Sequence, residues 1–159
     1  NLVLKVNAVE VEPLLYRALL LNAPYALPMG VHFVMQADTA ARVMANEERL
    51  LQVLTNLLSN AAKFSPRGSE VQLRSREDAD RVVISVIDKG RGIEPEFLHR
   101  VFEKFSQSDS SDSRQKGGTG LGLSSSKALV ERMAGRIWFE SEPGVGTSFH
   151  VSLPRAGTD

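Results

Sequence analysis

The sequence contains no cysteine, so no disulfide can staple the chain and no thiolate can act as nucleophile or metal ligand. That absence suits a reducing, cytoplasmic setting. No apolar run reaches the roughly 18 residues that a membrane-spanning helix needs, and no stretch has the layout of a signal peptide. Neither sign of charge is in excess: Lys+Arg and Asp+Glu each number 19, and no local basic patch stands out. Nucleic acid is therefore not an expected partner, and no contact with a membrane is expected of this domain. The three histidines, His32, His99 and His150, are scattered without metal-ligand spacing, so each is expected to be structural or exposed. Internal repeats and an interdomain linker are missing too.

What remains is an ordinary globular composition, 42% hydrophobic and 24% charged over 159 residues, enough for one domain with a substantial core. A single domain over residues 1–159 is expected. Because Asn1 begins inside a strand-like stretch, the chain reads as a domain excised from a larger protein.

Leu2 to Val6 alternates as a strand does, and Val9 to Leu21 carries apolar residues at helical spacing, closed by Pro24 and Pro28. Val31 to Met35 and Arg42 to Met44 read as short strands. Asn46 is a helix N-cap, Glu47 and Glu48 favour the positive end of the dipole, and the periodic stretch that follows runs to about Phe64. Its apolar set, from Leu50 to Ala61, forms one face; Gln52, Asn56, Asn60 and Lys63 share another. Glu70 to Arg76 and Arg81 to Ile87 form a hairpin, the second strand ending on Asp88 with Gly90 and Gly92 close behind. Pro95 to Phe105 reads as a short helical segment. Ser106 to Lys116, rich in Ser, Asp and Gln, reads as a loop. Ser124 to Ala134 is helical and ends at Gly135, and Arg136 to Glu140 pairs with Ser148 to Leu153 around Pro143-Gly144-Val145-Gly146.

This order implies an α+β fold: a two-layer α/β sandwich, its mixed, mostly antiparallel sheet of about five strands covered on one face by three helices. Between the polar loop and the last helix lies Lys116-Gly117-Gly118-Thr119-Gly120-Leu121-Gly122-Leu123, with four glycines in six residues. Such a loop can bring backbone N–H groups close to an anion, or it can simply turn the chain. Its spacing is neither G-x-G-x-x-G nor a P-loop, and no apolar strand precedes it, so a Rossmann domain fits poorly.

Three separated features, the Asn56/Asn60 stripe, the strand-end Asp88 with its glycines, and the glycine loop, together resemble the catalytic ATP-binding domain of sensor histidine kinases, a branch of the GHKL (Bergerat-fold) ATPase superfamily. Asn56-Leu-Leu-Ser-Asn60-Ala-Ala-Lys63-Phe64 resembles the N box, Asp88-Lys-Gly90-Arg-Gly92-Ile93 the G1 box and Phe102-Glu-Lys-Phe105 the F box. Gly118-Thr-Gly120-Leu-Gly122-Leu resembles the G2 box, and Gly144-Val-Gly146-Thr147-Ser-Phe149 the closing hairpin.

The resemblance implies ATP and Mg²⁺ as ligands, with Asn60 binding the metal and Asn56 and Lys63 completing the catalytic set around the phosphates. Asp88 would accept from the exocyclic amine of adenine, and Thr147 would share that contact through water. Gly90 and Gly92 would pass under the purine, with Ile93 and Phe64 as apolar neighbours. Ser106 to Gly117 would be a lid anchored by Phe102 and Phe105, from which Lys104, Arg114 and Lys116 reach phosphates. Gly118, Thr119, Gly120, Leu121, Gly122 and Leu123 would form the remaining wall. The family's hydrolases carry a Glu general base where this chain has Asn56, so intrinsic ATP hydrolysis is expected to be slow. The implied activity is instead γ-phosphoryl transfer to a histidine on the dimerisation domain of a homodimeric parent, with a response regulator receiver domain downstream. A module that binds ATP only to gate docking is the alternative reading. Three positions depart from the family pattern: Asn46 stands for Asp, Ser125 for an apolar residue, and Ala134 for the first of two glycines.

Overall fold

The computed structural model describes residues 4–103 and 121–157, with Leu121 and Gly122 described by their backbone alone. Strand β1 (Asn7–Glu10) leads directly into helix α1 (Val11–Ala26), and β2 (His32–Ala37) and β3 (Arg42–Ala45) precede helix α2 (Glu47–Phe64). A hairpin of β4 (Glu70–Asp78) and β5 (Arg81–Asp88) follows, then a 3₁₀ segment at Pro95–Arg100. Helix α3 (Leu121–Arg132) and the hairpin β6 (Arg136–Glu142) and β7 (Gly146–Pro154) complete the fold.

The main sheet has five strands in the order β2-β4-β5-β7-β6, with β2 parallel to β4 and every other pair antiparallel. The single parallel pair requires a crossover, and α2 lies within it. All three helices cover one face: Leu14, Leu15, Leu54, Leu57 and Met133 meet Leu73, Ile84, Val86, Val151 and Leu153 in a single core. The expected two-layer mixed sandwich is therefore the observed fold. A separate two-stranded ribbon pairs β1 with β3, which the sequence does not announce.

Two early elements differ from expectation. Leu4 to Val6 lie in no strand; the strand is Asn7–Glu10, because these residues have β3 as a partner. Helix α1 also runs through Pro24 to Ala26. A proline in the last turn forfeits one helical bond, and the buried Asn22 and Ala26 offset that loss. Asn22 donates through Nδ2 to the Ala18 carbonyl and to Thr55 Oγ1 of α2, locking the two helices together. A 3₁₀ turn over Leu27–Met29 follows and is capped by Gly30, which holds φ +71°.

Helix α2 begins as expected: Asn46 Oδ1 accepts from the Arg49 amide at 2.9 Å. The amide nitrogen of Asn46 also donates to the Lys5 carbonyl at 2.8 Å. An aspartate would cap the helix and lack that second bond, which gives a reason for asparagine here. Helix α3 starts earlier than its side-chain pattern suggests and ends in a Schellman arrangement, with Gly135 N bonded to Val130 O and Ala134 N to Glu131 O. Ala134 holds φ +61°, the conformation that the usual glycine would adopt without strain.

Candidate functional site

The site grows from the C-terminal half of α2. Its buried leucines fix the helix on the sheet, so Asn56, Asn60 and Lys63 face away from the core: the two amides are half-buried and Lys63 is exposed. Asn56 donates through Nδ2 to Ser126 Oγ on α3 at 3.2 Å. The side chain of Asn60 makes no hydrogen bond among the described residues. Its side-chain oxygen is thus a neutral, hard donor with no internal partner. Phe64, half-buried at the helix end, lies under the guanidinium of Arg91, 5.2 Å from the ring centroid.

At the end of β5, Asp88 is 9% exposed, and its Oδ1 accepts from the amides of Gly90 at 2.8 Å and Thr147 at 3.2 Å. Burial raises the Asp88 carboxyl above its ordinary value, and the two amide bonds pull it partly back. Both amides converge on one oxygen. Oδ2 accepts nothing from the described residues, and so can receive a hydrogen bond from a ligand.

The glycines around Asp88 bring three backbones into contact. A Cβ on Gly90 would stand 2.4 Å from the Phe64 carbonyl oxygen, one on Gly92 2.3 Å from that of Glu142, and one on Gly146 2.2 Å from that of Asp88. The loop after β5 is thereby pressed against the end of α2 on one side and the β6–β7 hairpin on the other. These glycines serve the closure of the fold itself. In register, Asp88 lies opposite Thr147, and Thr147 opposite Ser141, so the three form one row across β5, β7 and β6. Ile93 is half-buried and docks its amide on Ser141 Oγ at 2.8 Å.

The structure thus brings Asn56, Asn60, Lys63, Phe64, Asp88, Gly90, Gly92, Ile93 and Thr147 around the end of α2 and the strand ends of β5 and β7. Leu123 is buried beneath, as a core residue of α3. Lys104, Phe105, Arg114, Lys116, Gly118, Thr119 and Gly120 lie outside the described residues, as does the expected lid. Phe102 packs edge-on against Phe139 and Phe149, with centroids 5.7 Å and 6.2 Å away, and so anchors its segment to the sheet. Ser125 is exposed, so a polar residue there removes nothing from the core. Sequence reasoning overlooked Arg91, Ser126 and Ser141. Only the third dimension sets them beside Phe64, Asn56 and Thr147.

The histidines behave as their spacing suggests. His150 sits on the open sheet face between Ser85 Oγ, 2.7 Å from Nδ1, and Glu140 Oε1, 2.9 Å from Nε2, with Trp138 stacked beside it. No cluster of metal-ligating side chains occurs among the described residues, and none of their helices is long and apolar enough to cross a membrane.

Residues 45–157 match the family described as histidine kinase-, DNA gyrase B- and HSP90-like ATPases. The sensor histidine kinase GacS of Pseudomonas protegens is 40% identical over 139 residues, which cover 85% of this chain and 15% of that protein. The crystal structure of full-length ShkA in complex with AMPPNP superposes with a TM-score of 0.82 at 33% identity, covering 98% of this chain and 32% of that one. The nucleotide-free catalytic domain of histidine kinase ThkA superposes with a TM-score of 0.82 at 25% identity, over 96% and 97% of the two chains. The chain therefore spans about a sixth of the length of relatives such as GacS.

Proposed function

This chain belongs to the histidine kinase-, DNA gyrase B- and HSP90-like ATPase family, and from that membership we propose that it binds ATP with Mg²⁺ and donates the γ-phosphoryl group to a histidine of a larger sensor kinase. Its kinase-type catalytic domain and its place in two-component signalling follow from its sensor histidine kinase relatives. The acceptor histidine lies on a separate dimerisation domain of a homodimeric parent, and a response regulator takes the phosphoryl group next. The domain draws on cytoplasmic ATP.

One observation carries the reading: Asp88, buried, with one oxygen fixed by two backbone amides and the other able to accept. A carboxylate so placed receives the exocyclic amine of adenine and repels the carbonyl oxygen that guanine has there. Asn60 and Lys63 follow on the adjoining helix, where an unpaired amide oxygen suits Mg²⁺ and an exposed ammonium suits phosphate. The metal would supply charge neutralisation on the triphosphate. Asn56 is an amide whose nitrogen is engaged by Ser126, so it cannot take a proton from water, and hydrolysis lacks its base. The remaining course is attack by an imidazole nitrogen: an N–P bond forms, the bond from phosphorus to the ADP oxygen breaks, and the imidazole proton passes to solvent. His32 and His150 lie on strands and His99 in the 3₁₀ segment, none of them on an α-helix.

Calorimetric titration with ATP and Mg²⁺ tests the site. Asn60→Ala is expected to weaken Mg²⁺-dependent ATP binding about tenfold or more, and Asp88→Asn to erase the preference for ATP over GTP. Unchanged affinity and selectivity in both would refute the site. Mixing the domain with a matched dimerisation domain and labelled ATP tests transfer, and tight binding without phosphohistidine would leave only nucleotide-gated docking.

A further inference from the structure

Helix α3 packs against α2, and its buried stripe is Leu123, Ser126 and Val130, continued by Met133 just past the helix end. Ser126, at 0% exposure, is the one polar member of that stripe. Polar contacts cross near both ends of the packing: Asn56 Nδ2 donates to Ser126 Oγ at 3.2 Å, and the Asn46 amide donates to Met133 Sδ at 3.3 Å. Because position 56 meets 126 and position 46 meets 133, the two helices run antiparallel in a fixed register. One turn on from Asn56, about 6 Å along the axis, stands Asn60; the first residue of α3 stands about 7.5 Å back from Ser126, in the same direction in space. The Asn56–Ser126 bond therefore sets the first turn of α3 level with Asn60.

The same bond decides which way the Asn56 amide faces. An amide nitrogen only donates and an amide oxygen only accepts, so with Nδ2 held on Ser126, Oδ1 is kept off α3 as an acceptor on the stripe shared with Asn60. Mg²⁺ keeps several of its waters, and a water whose lone pair is committed to the metal can only donate. An amide oxygen receives such a water, whereas an amide nitrogen repels it. We propose that Ser126 is a positioning residue for the hydrated metal: by holding Asn56 Nδ2 it keeps Asn56 Oδ1 turned to accept beside Asn60, and keeps α3 in register with that pair. Ser126, fully enclosed, touches neither nucleotide nor metal, and this inference rests on the nucleotide-site reading above.

Alanine suits an apolar stripe on a helix, so Ser126→Ala is expected to fold and to melt close to the wild type. Should it not, Ser126→Cys, close in shape with a weaker acceptor, supplies the comparison. Calorimetric binding of ATP, with Mg²⁺ and in EDTA, is the test. In Ser126→Ala the Kd for ATP with Mg²⁺ is expected to rise about fivefold, the worth of one hydrogen bond, while the Kd in EDTA stays put. Asn56→Ala is expected to lose at least as much, and adding Ser126→Ala to it to cost nothing further, because the serine acts through the amide. The double variant alone decides if EDTA abolishes binding by the wild type. Without any ligand, the Asn56 side-chain NH₂ resonances, identified by their loss in Asn56→Ala, are expected to report an ordered amide that Ser126→Ala loosens. Equal losses with and without Mg²⁺, or additive losses in the double variant, would mark a serine that merely supports the helix pair and overturn the proposal. So would wild-type affinity in Ser126→Ala, or an Asn56 amide just as ordered there. A wild-type chain that binds no ATP with Mg²⁺ would bring down the nucleotide site itself, a failure distinct from those.

Discussion

Burial works against the charge on Asp88, and its folded carboxyl binds protons more readily than the unfolded one does. The sign of the pH dependence follows. With more protons bound in the native state, this group's contribution to stability falls as pH rises from its unfolded value of 3.8 through the raised folded value, and stays low above it. Asp88→Asn keeps an oxygen for the Gly90 and Thr147 amides and removes the charge. The variant is expected to melt at or above the wild-type temperature at pH 7, with the gap closing below pH 3.8, even as ATP selectivity is lost. Melting curves across that pH range would check it; a large loss of stability at pH 7 would contradict the burial argument. Asp88 could be picked out in the sequence because it is a polar residue ending an apolar strand. Ser141, bonded to Thr147 on the next strand, could not, since serine in a hairpin strand has no pattern that distinguishes it.

Among the elements, α2 was the most legible, because cap, acidic first turn and apolar period all agree. Helix α1 was less so: Pro24 is a strong stop signal, and tertiary packing of Asn22 and Ala26 overrides it. The end of α3 shows a local cost instead. Ala134 occupies a left-handed position at the Schellman turn, where a Cβ is strained by roughly 1 kcal/mol. Ala134→Gly is expected to stabilise the chain by about 1 kcal/mol, a rise of roughly 3 °C in melting temperature for a domain of this size. A neutral or negative shift would indicate that flexibility gained in the unfolded chain cancels the relief.

Over the whole molecule, the fold closes through backbone contacts at glycines, and their costs can be ranked. Gly92 combines φ +75° with a Cβ position 2.3 Å from the Glu142 carbonyl oxygen, whereas Gly144 has φ +80° and nothing within 4 Å. Gly144→Ala is expected to cost about 1 kcal/mol from backbone strain alone, and Gly92→Ala about 3 kcal/mol or more because the hairpin must move as well. Urea unfolding of the two variants would separate strain from contact. Equal losses would show that the hairpin yields freely. The approximate strand number and the layer arrangement were readable from the alternation of elements, but the strand order was not, and the contacts that unite α2, the post-β5 loop and the β6–β7 hairpin join residues far apart in sequence. No local pattern encodes them.

Strand β7 lies inside the sheet, between β5 and β6, and its first two residues lean on Asp88. During synthesis, therefore, Asn60 and Asp88 emerge long before the strand that completes their surroundings. Both interior ladders of that region await residues 146–154. A nascent chain halted before Gly146 therefore has β5 paired with β4 along one edge only, and Asp88 without the Thr147 amide that fixes its oxygen in the finished fold.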